Sequence, residues 1–293
     1  MSRLYRSLWV TLIVCVPAAS VAAEPAAAPP ANGPSPSVER TGLIPSEQRR
    51  STELETAFPD DAIVRFGEGD DRAIGVFRDS IDDKALGVVV VVLGSGLSPD
   101  AHVDSTSLRR SLPRSRWSTL TVALPDIPNE MLPPRQHDKF VPGAVAPPAD
   151  PAAAKPAPPA APASDPLPAR VRARLDAAVK AARAKGSKVV LLGEESAGAW
   201  IVWAQNQGLG ADAIVAINTA RNQPRIDGKA PKDMLAVLKS PTLLLMETPL
   251  DWSVDDRLAK DVVLRLLPPG NPSGALLDRQ IRGWLKRNFD SRG

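Results

Sequence analysis

The sequence has little of several residue types that enzymes and small exported domains often use. Its 293 residues include one cysteine, two histidines and one tyrosine. The cysteine, Cys15, and the tyrosine, Tyr5, both lie in an N-terminal segment that we expect to be removed. The chain that remains has neither a disulfide nor a thiol nucleophile, so a hydrophobic core must stabilise it.

A strong charge bias and cofactor motifs are also missing. The net charge is +3, and no block of Lys and Arg is interleaved with aromatic residues, so we expect no nucleic-acid partner. No Walker loop and no G-x-G-x-x-G motif follows a predicted strand, which excludes the usual nucleotide sites. Asp100, His102 and Asp104 offer three metal ligands, but no second cluster accompanies them. We therefore expect no cofactor and no bound metal.

The first residues have the three parts of a secretory signal. Arg3 and Arg6 give a positive start, Leu8 to Val16 form an apolar run, and Val21 to Ala23 are small residues typical of a cleavage site. The apolar run is shorter than the roughly 20 residues that span a bilayer. We predict a signal peptide over 1–23, no membrane span in the mature chain, and a periplasmic or secreted location; the alternative is a retained membrane anchor.

Two stretches rich in proline and alanine interrupt the pattern of a folded domain. They cover residues 24–52 and 142–168 and have too few large apolar residues to offset the entropy of ordering. We predict that both are disordered and that 53–293 is one domain interrupted by the second stretch. That insertion is either a tolerated surface loop or a tether within the cell envelope.

The rest of the chain alternates apolar runs with amphipathic segments. Gly87 to Leu93 is an uninterrupted β-branched run, as expected for a strand covered on both faces. Pro168 to Lys185 predicts a helix that buries Val171, Leu175 and Val179 and leaves Arg170, Arg172, Arg174 and Arg183 in solvent. The alternation predicts an α/β fold, a doubly wound and mostly parallel sheet with an opening β-hairpin. The other predicted elements are strands at 62–66, 73–77, 119–124, 188–192, 213–217 and 242–246 and helices at 105–112, 197–207 and 276–288.

The segment from Gly193 to Gly198 lies between a predicted strand and a predicted helix. α/β-Hydrolases carry their nucleophile there in a G-x-S-x-G turn, but this segment reads G-E-E-S-A-G. If Gly193 is the first glycine, Glu195 takes the nucleophile position and Ala197 replaces the second glycine. If Gly198 is the second glycine, Ser196 is the nucleophile and Glu194 replaces the first. The end of the apolar run at Gly193 favours the first register.

The histidines do not complete a serine-hydrolase triad in the usual order. In this fold the base lies on a loop after the last strand, whereas His102 and His137 both precede the elbow. His102 follows Gly94-Ser95-Gly96 at the strand edge where open α/β sheets bind ligands. Asp251 lies in the usual region of the triad acid, although it also fits a turn or helix cap. An esterase would need Ser196 as nucleophile, Asp251 as acid, His102 as base and backbone N–H donors near Ser95 and Ala197.

Four motifs follow one another along the chain: Val88 to Gly96, Arg116 to Pro125, Leu191 to Trp200 and Ile281 to Lys286. In these motifs the chain resembles an uncharacterised family of Gram-negative bacterial proteins, a domain of unknown function of the α/β-hydrolase superfamily. The resemblance covers most of Leu54 to Phe289 and implies that fold more firmly than an activity. It implies a site region formed by Gly94 to Gly96, Glu195 or Ser196, and Asp251.

These observations favour an exported hydrolase-fold protein that lacks serine-hydrolase chemistry. Its expected role is to bind an unidentified small molecule or an envelope component. One alternative is a carboxyl-ester hydrolase that uses Ser196 with an unusually placed His102, and another is an envelope spacer.

Overall fold

A computed structural model describes residues 46–67, 72–100, 104–127, 166–219, 225–247, 260–268 and 274–290. The predictions for the signal peptide, His102, His137 and Asp251 concern residues outside these ranges. Within the described residues, no helix is both long and apolar enough to cross a bilayer.

The described residues form eight strands and six α-helices. The strands are β1 (Ile63–Phe66), β2 (Ala73–Arg78), β3 (Gly87–Leu93), β4 (Trp117–Ala123), β5 (Val189–Glu194), β6 (Ala213–Ile217), β7 (Thr242–Met246) and β8 (Val262–Leu266). The helices are α1 (Ser46–Ala57), α2 (Asp104–Ser111), α3 (Pro166–Lys185), α4 (Glu195–Asn206), α5 (Pro231–Ala236) and α6 (Gly274–Leu285). Short 3-10 helices cover Asp60–Ala62 and Leu112–Ser115, and a π-helical turn covers Lys286–Asp290.

All eight strands belong to one sheet in the order β1-β2-β4-β3-β5-β6-β7-β8. β1 and β2 form the predicted antiparallel hairpin, and β2 also pairs with β4 in antiparallel fashion. Every other pairing in the sheet is parallel. The structure therefore confirms the α/β-hydrolase-like, mostly parallel sheet with an opening hairpin.

Helices cover both faces of the sheet. Alternate β3 side chains divide between the two cores: Val88, Val90 and Val92 pack with the apolar residues of α3, α4 and α5, and Val89, Val91 and Leu93 with those of α2 and α6. A strand buried on both faces has no polar side, which explains the uninterrupted apolar run. Leu54 of α1 packs against the hairpin in a smaller third cluster.

Three predictions are wrong in detail near the ends of the Pro/Ala-rich stretches. The predicted disordered segment 24–52 extends too far, because its last seven residues belong to α1. The predicted insertion 142–168 also extends too far, because α3 begins at Pro166 and Leu167 is buried. Arg174 was expected in solvent but is buried, because its guanidinium pairs with Glu47 at 2.6 Å and donates to the Ala123 carbonyl at 3.2 Å.

Candidate functional site

The segments that follow the parallel strands lie at the carboxyl edge of those strands. The register pairs Val92 with Gly193 and Glu194 with Ile217, so neighbouring strands end at nearly the same height. Gly94 follows β3, Glu195 follows β5, and Asn218 follows β6. In open α/β sheets this edge is where ligands bind. The predicted residues Gly94, Ser95, Gly96, Glu195, Ser196 and Ala197 all lie along it.

The turn from β5 into α4 has the backbone of a nucleophile elbow, with Glu195 at its apex. Glu194 ends the strand in an extended conformation, with φ of −110°, whereas Glu195 has φ of +48° and an exposed side chain. Residues with a Cβ, apart from Asn and Asp, rarely adopt that left-handed conformation, because the Cβ approaches the following carbonyl. Ser196 lies one residue further along, within the first turn of α4, and is partly buried.

Two glycines allow the close approach of α4 to the sheet. A Cβ on Gly193 would lie 2.8 Å from the Ala197 carbonyl carbon and 2.8 Å from the Gly198 amide nitrogen. A Cβ on Gly198 would overlap Thr219 Oγ1 and lie 3.0 Å from the Gly193 carbonyl oxygen. Gly193 is the first glycine of the register centred on Glu195, and Gly198 is the second glycine of the register centred on Ser196. Both are crowded, so this packing fits either register, and it is the positive φ of Glu195 that marks the apex of the turn.

The left-handed backbone at Glu195 leads to a stability prediction. Glu195→Gly should raise the free energy of unfolding by about 1 kcal/mol, because glycine has no Cβ penalty at positive φ. Glu194→Gly is the matched control: Glu194 has an ordinary extended φ, so glycine there should be destabilising by roughly 0.5–1 kcal/mol. Urea unfolding measures both. A destabilised Glu195→Gly variant would show that contacts of the Glu195 side chain outweigh the backbone strain.

The loop after β3 faces Ser196 and is fixed by hydrogen bonds. A Cβ on Gly94 would lie 3.6 Å from Ser196 Oγ, so this side chain points toward the loop. Ser95 Oγ donates to the Pro125 carbonyl, the Gly96 amide donates to Asp126 Oδ1 at 3.1 Å, and the Leu97 amide donates to the Gly94 carbonyl at 3.3 Å. The amides of Gly96 and Leu97 are therefore already engaged and are not free to act as oxyanion donors.

Asp126 connects this loop to helix α1. Besides the Gly96 amide, its carboxylate accepts hydrogen bonds from Ser46 Oγ and from Arg50 Nη2, the latter at 2.5 Å. Burial raises the pKa of Asp126, but the bonds from Ser46, Arg50 and Gly96 outweigh it and hold that pKa below its ordinary value. The carboxylate therefore stays ionised and keeps the loop in place. No sequence motif identified Asp126, since its partners come from α1 and from the loop after β3.

A second missed residue, Glu247, lies directly after β7. Asn218 Nδ2 donates to Glu247 Oε1 at 3.1 Å, and the Glu247 amide donates to Asn218 Oδ1 at 3.0 Å. Asn218 also has a positive φ, of +50°. Glu247 lies in the region where the sequence predicted the acid at Asp251, and its position right after the apolar run 242–246 was the signal available. The side chain of Glu247 thus pairs with an amide and not with an imidazole.

The described site offers carboxylates, backbone amides and the hydroxyls of Ser95 and Ser196. Within the described ranges, no group of three or more His, Cys, Asp or Glu side chains is arranged to hold a metal ion. The sequence supplies no histidine after the elbow. The edge thus carries an exposed carboxylate where α/β-hydrolases carry a nucleophile, beside a fixed glycine loop.

Comparison with solved structures supports the fold. Est1E from Butyrivibrio proteoclasticus is 10% identical, with 78% of this chain and 99% of that chain aligned and a TM-score of 0.52. The esterase domain of a Rhodothermus marinus protein is 12% identical, with 77% and 97% aligned and a TM-score of 0.49. Dienelactone hydrolase from Anabaena variabilis is 14% identical, with 77% and 98% aligned and a TM-score of 0.49. At this identity, the likeness to Est1E indicates a shared fold and carries no activity over.

The chain also matches the model of a protein family, although it matches no single curated protein. The model of a family described as "Protein of unknown function (DUF3530)" matches residues 6–247. This confirms the resemblance predicted from the motifs between Val88 and Trp200, although the match ends before the motif at Ile281 to Lys286. Because the match covers most of the chain, the protein belongs to the DUF3530 family.

Proposed function

We propose that this protein is an exported α/β-hydrolase-fold protein that does not hydrolyse esters through a serine and instead binds a small molecule or an envelope component. The observation that carries the proposal is Glu195 at the apex of the elbow, exposed and with φ of +48°. The backbone keeps the strained turn of a hydrolase, while the side chain that would attack the substrate is a carboxylate.

The chemistry of a carboxylate at this position supports the proposal. Attack of Glu195 on an ester would give an acid anhydride, which is higher in energy than the ester it replaces. A serine nucleophile, by contrast, needs a base within hydrogen-bond reach, and the sequence has no histidine beyond residue 137. The mature chain predicted from the signal sequence has no cysteine to substitute for serine.

The alternative is an esterase with Ser196 as nucleophile, and one observation favours it. Ser196 Oγ points toward Gly94, at the edge where a substrate carbonyl would bind. Two observations weigh against it. Ser196 belongs to the first turn of α4, beyond the apex, and the Gly96 amide already donates to Asp126. A working site would have to draw its oxyanion donors from amides other than those of Gly96 and Leu97, and it would need His102 as an unusually placed base.

Labelling with a fluorophosphonate probe tests the proposal. Purified wild-type protein and Ser196→Ala should both remain unlabelled, and both should hydrolyse p-nitrophenyl butyrate at the rate of buffer alone. An active serine esterase in the same experiment controls for the probe, and circular dichroism controls for folding. Labelling of the wild type that disappears in Ser196→Ala would overturn the proposal and establish the esterase alternative.

Export is the other part of the proposal, and the signal-like segment 1–23 supports it. In a Gram-negative host we expect a shortened chain in the osmotic-shock fraction, with an N-terminus at Glu24 by mass spectrometry. A full-length chain that stays with the cytoplasmic fraction would contradict export and leave the statement about serine chemistry untouched.

A further inference from the structure

A cavity lies at the edge of the sheet opposite the elbow. Its volume is about 490 Å³, within the range of roughly 300–1,000 Å³ that is typical of small-molecule sites. The C-terminal end of α4, helix α5 and the segment before β7 form its walls. The lining residues whose side chains could contact a ligand are Trp203, Lys229, Met234, Val237, Lys239 and Ser240.

One wall of this cavity is apolar and held in place. Trp203 packs edge-on against Trp200, with ring centroids 5.4 Å apart, and its indole Nε1 donates to Asp227 Oδ2 at 2.9 Å. Met234 is buried beside it in the core, whereas Val237 is 62% exposed. Trp203 is only 5% exposed, so the open apolar surface is mainly that of Val237, with the fixed Trp203 ring packed behind it. This surface suits the apolar part of a ligand.

The charged residues of the lining are all cationic. Lys229 and Lys239 are exposed and form no ion pair with any residue that the structure describes. None of the lining residues is acidic. The carboxylate of Asp227 lies close by, and it keeps its negative charge while it accepts the hydrogen bond from Trp203. Two ammonium groups beside one carboxylate still leave an excess of positive charge at the mouth of the cavity.

A buried hydroxyl in the same wall lacks a partner. Ser240 Oγ is buried and forms no hydrogen bond within the described part of the chain. A buried polar atom without a partner needs an explanation, and a polar group in the adjoining cavity would supply one after a rotation of the serine side chain. Ser240 thus adds a neutral donor to the two ammonium groups.

We propose that this cavity binds a small amphipathic carboxylate. The apolar body of the ligand packs on Trp203, Met234 and Val237, and its carboxylate pairs with Lys229 and Lys239. The site is separate from the elbow, since α4 runs from one edge of the sheet to the other. Ligand binding in this cavity therefore does not depend on whether the elbow is catalytic.

A matched pair of fluorinated probes tests the proposal. The first is 4-(trifluoromethyl)benzoate, and the second is 4-(trifluoromethyl)benzyl alcohol, which keeps the ring and lacks the charge. Fluorine NMR titration of the full chain should give an affinity about tenfold higher for the benzoate, because two exposed ion pairs contribute to its binding. The Lys229→Gln/Lys239→Gln variant should lose that preference and bind both probes alike.

Two further variants make the result specific to this cavity. Lys180→Gln/Lys286→Gln removes two exposed lysines that do not line it, and this control should keep the tenfold preference. Val237→Asp should weaken binding of the benzoate several-fold without unfolding the chain, because Val237 is mostly exposed. The proposal is overturned if neither probe binds, if the two probes bind equally to the wild type, or if the lysine variant keeps the preference.

Discussion

Gly198→Ala is expected to lower the free energy of unfolding by about 3 kcal/mol, measured by urea denaturation. The added Cβ would overlap the hydroxyl of Thr219 and press on the carbonyl of Gly193. Neither group has room to move away. Thr219 is fully buried and its hydroxyl donates to the Ile217 carbonyl at 3.2 Å, while Gly193 belongs to the central strand β5. The helix α4 must therefore shift, and the elbow at its N-terminus shifts with it.

Two further variants separate this steric effect from a general cost of alanine. Gly283→Ala, in α6, places its Cβ no closer than 3.6 Å to Arg287 Nη1, so it should be neutral or stabilising by up to about 1 kcal/mol through helix propensity. Thr219→Ala in the Gly198→Ala background removes the overlapping oxygen and should restore more than half of the lost stability. A double-mutant cycle without a coupling of at least about 1 kcal/mol would contradict the contact described.

Asp126→Asn is expected to lower the free energy of unfolding by about 2 kcal/mol at neutral pH. Three hydrogen bonds to the carboxylate, from Ser46, Arg50 and Gly96, hold α1 and the loop after β3 together. The amide keeps the shape of the side chain but loses the charge and one acceptor oxygen, so the bonds to the charged group are weakened. The Arg50 guanidinium, with its side chain only 19% exposed, then loses its counter-ion.

The difference between wild type and Asp126→Asn should depend on pH. The pKa of Asp126 in the folded protein is lowered, so the ionised form stabilises the fold above the unfolded-state pKa of about 3.9. That contribution is lost as the pH falls through the lower folded-state pKa. The stabilities of the two proteins should therefore differ fully at pH 5 to 7, begin to converge near pH 4, and become equal only below the folded-state pKa of Asp126.

A matched aspartate tests whether burial is the reason for this effect. Asp60 is 91% exposed and pairs with Arg65 at 3.2 Å, so Asp60→Asn should change stability by less than about 0.5 kcal/mol. Equal effects at the two positions would show that the contacts of Asp126 add nothing beyond a surface ion pair.

The parts of the fold that the sequence predicted well are the central strands. Gly87–Leu93, Ala213–Ile217 and Thr242–Met246 have the predicted bounds in the structure. A short run of apolar residues with no polar side is stable only where both of its faces are covered, as they are in the middle of this sheet. The helix over Pro168 to Lys185 was also predicted correctly in kind, because its buried face repeats every three to four residues.

The elements that the sequence missed depend on partners distant in the chain. Helix α1 buries only Leu54, and its long-range polar contacts run to Asp126, Arg170 and Arg174. No window of sequence contains both ends of those contacts. Strand β8 pairs only with β7, and two of its exposed positions carry the apolar residues Val263 and Leu266. Its sequence therefore does not alternate between apolar and polar residues as that of a half-buried strand would. The burial of Arg174 was missed for the same reason as α1.

The candidate site likewise has features that residue order predicts and features that depend on long-range contacts. The sequence alone located the elbow between Gly193 and Gly198, the glycine loop over Gly94 to Gly96, and the lack of a late histidine, because each is a property of residue types in order. It favoured Glu195 over Ser196 at the turn and kept both registers. The tertiary structure gives Glu195 the positive φ and brings Asp126 and Glu247 to the edge. Backbone conformation and long-range contacts arise from packing, which residue order specifies only through the complete fold.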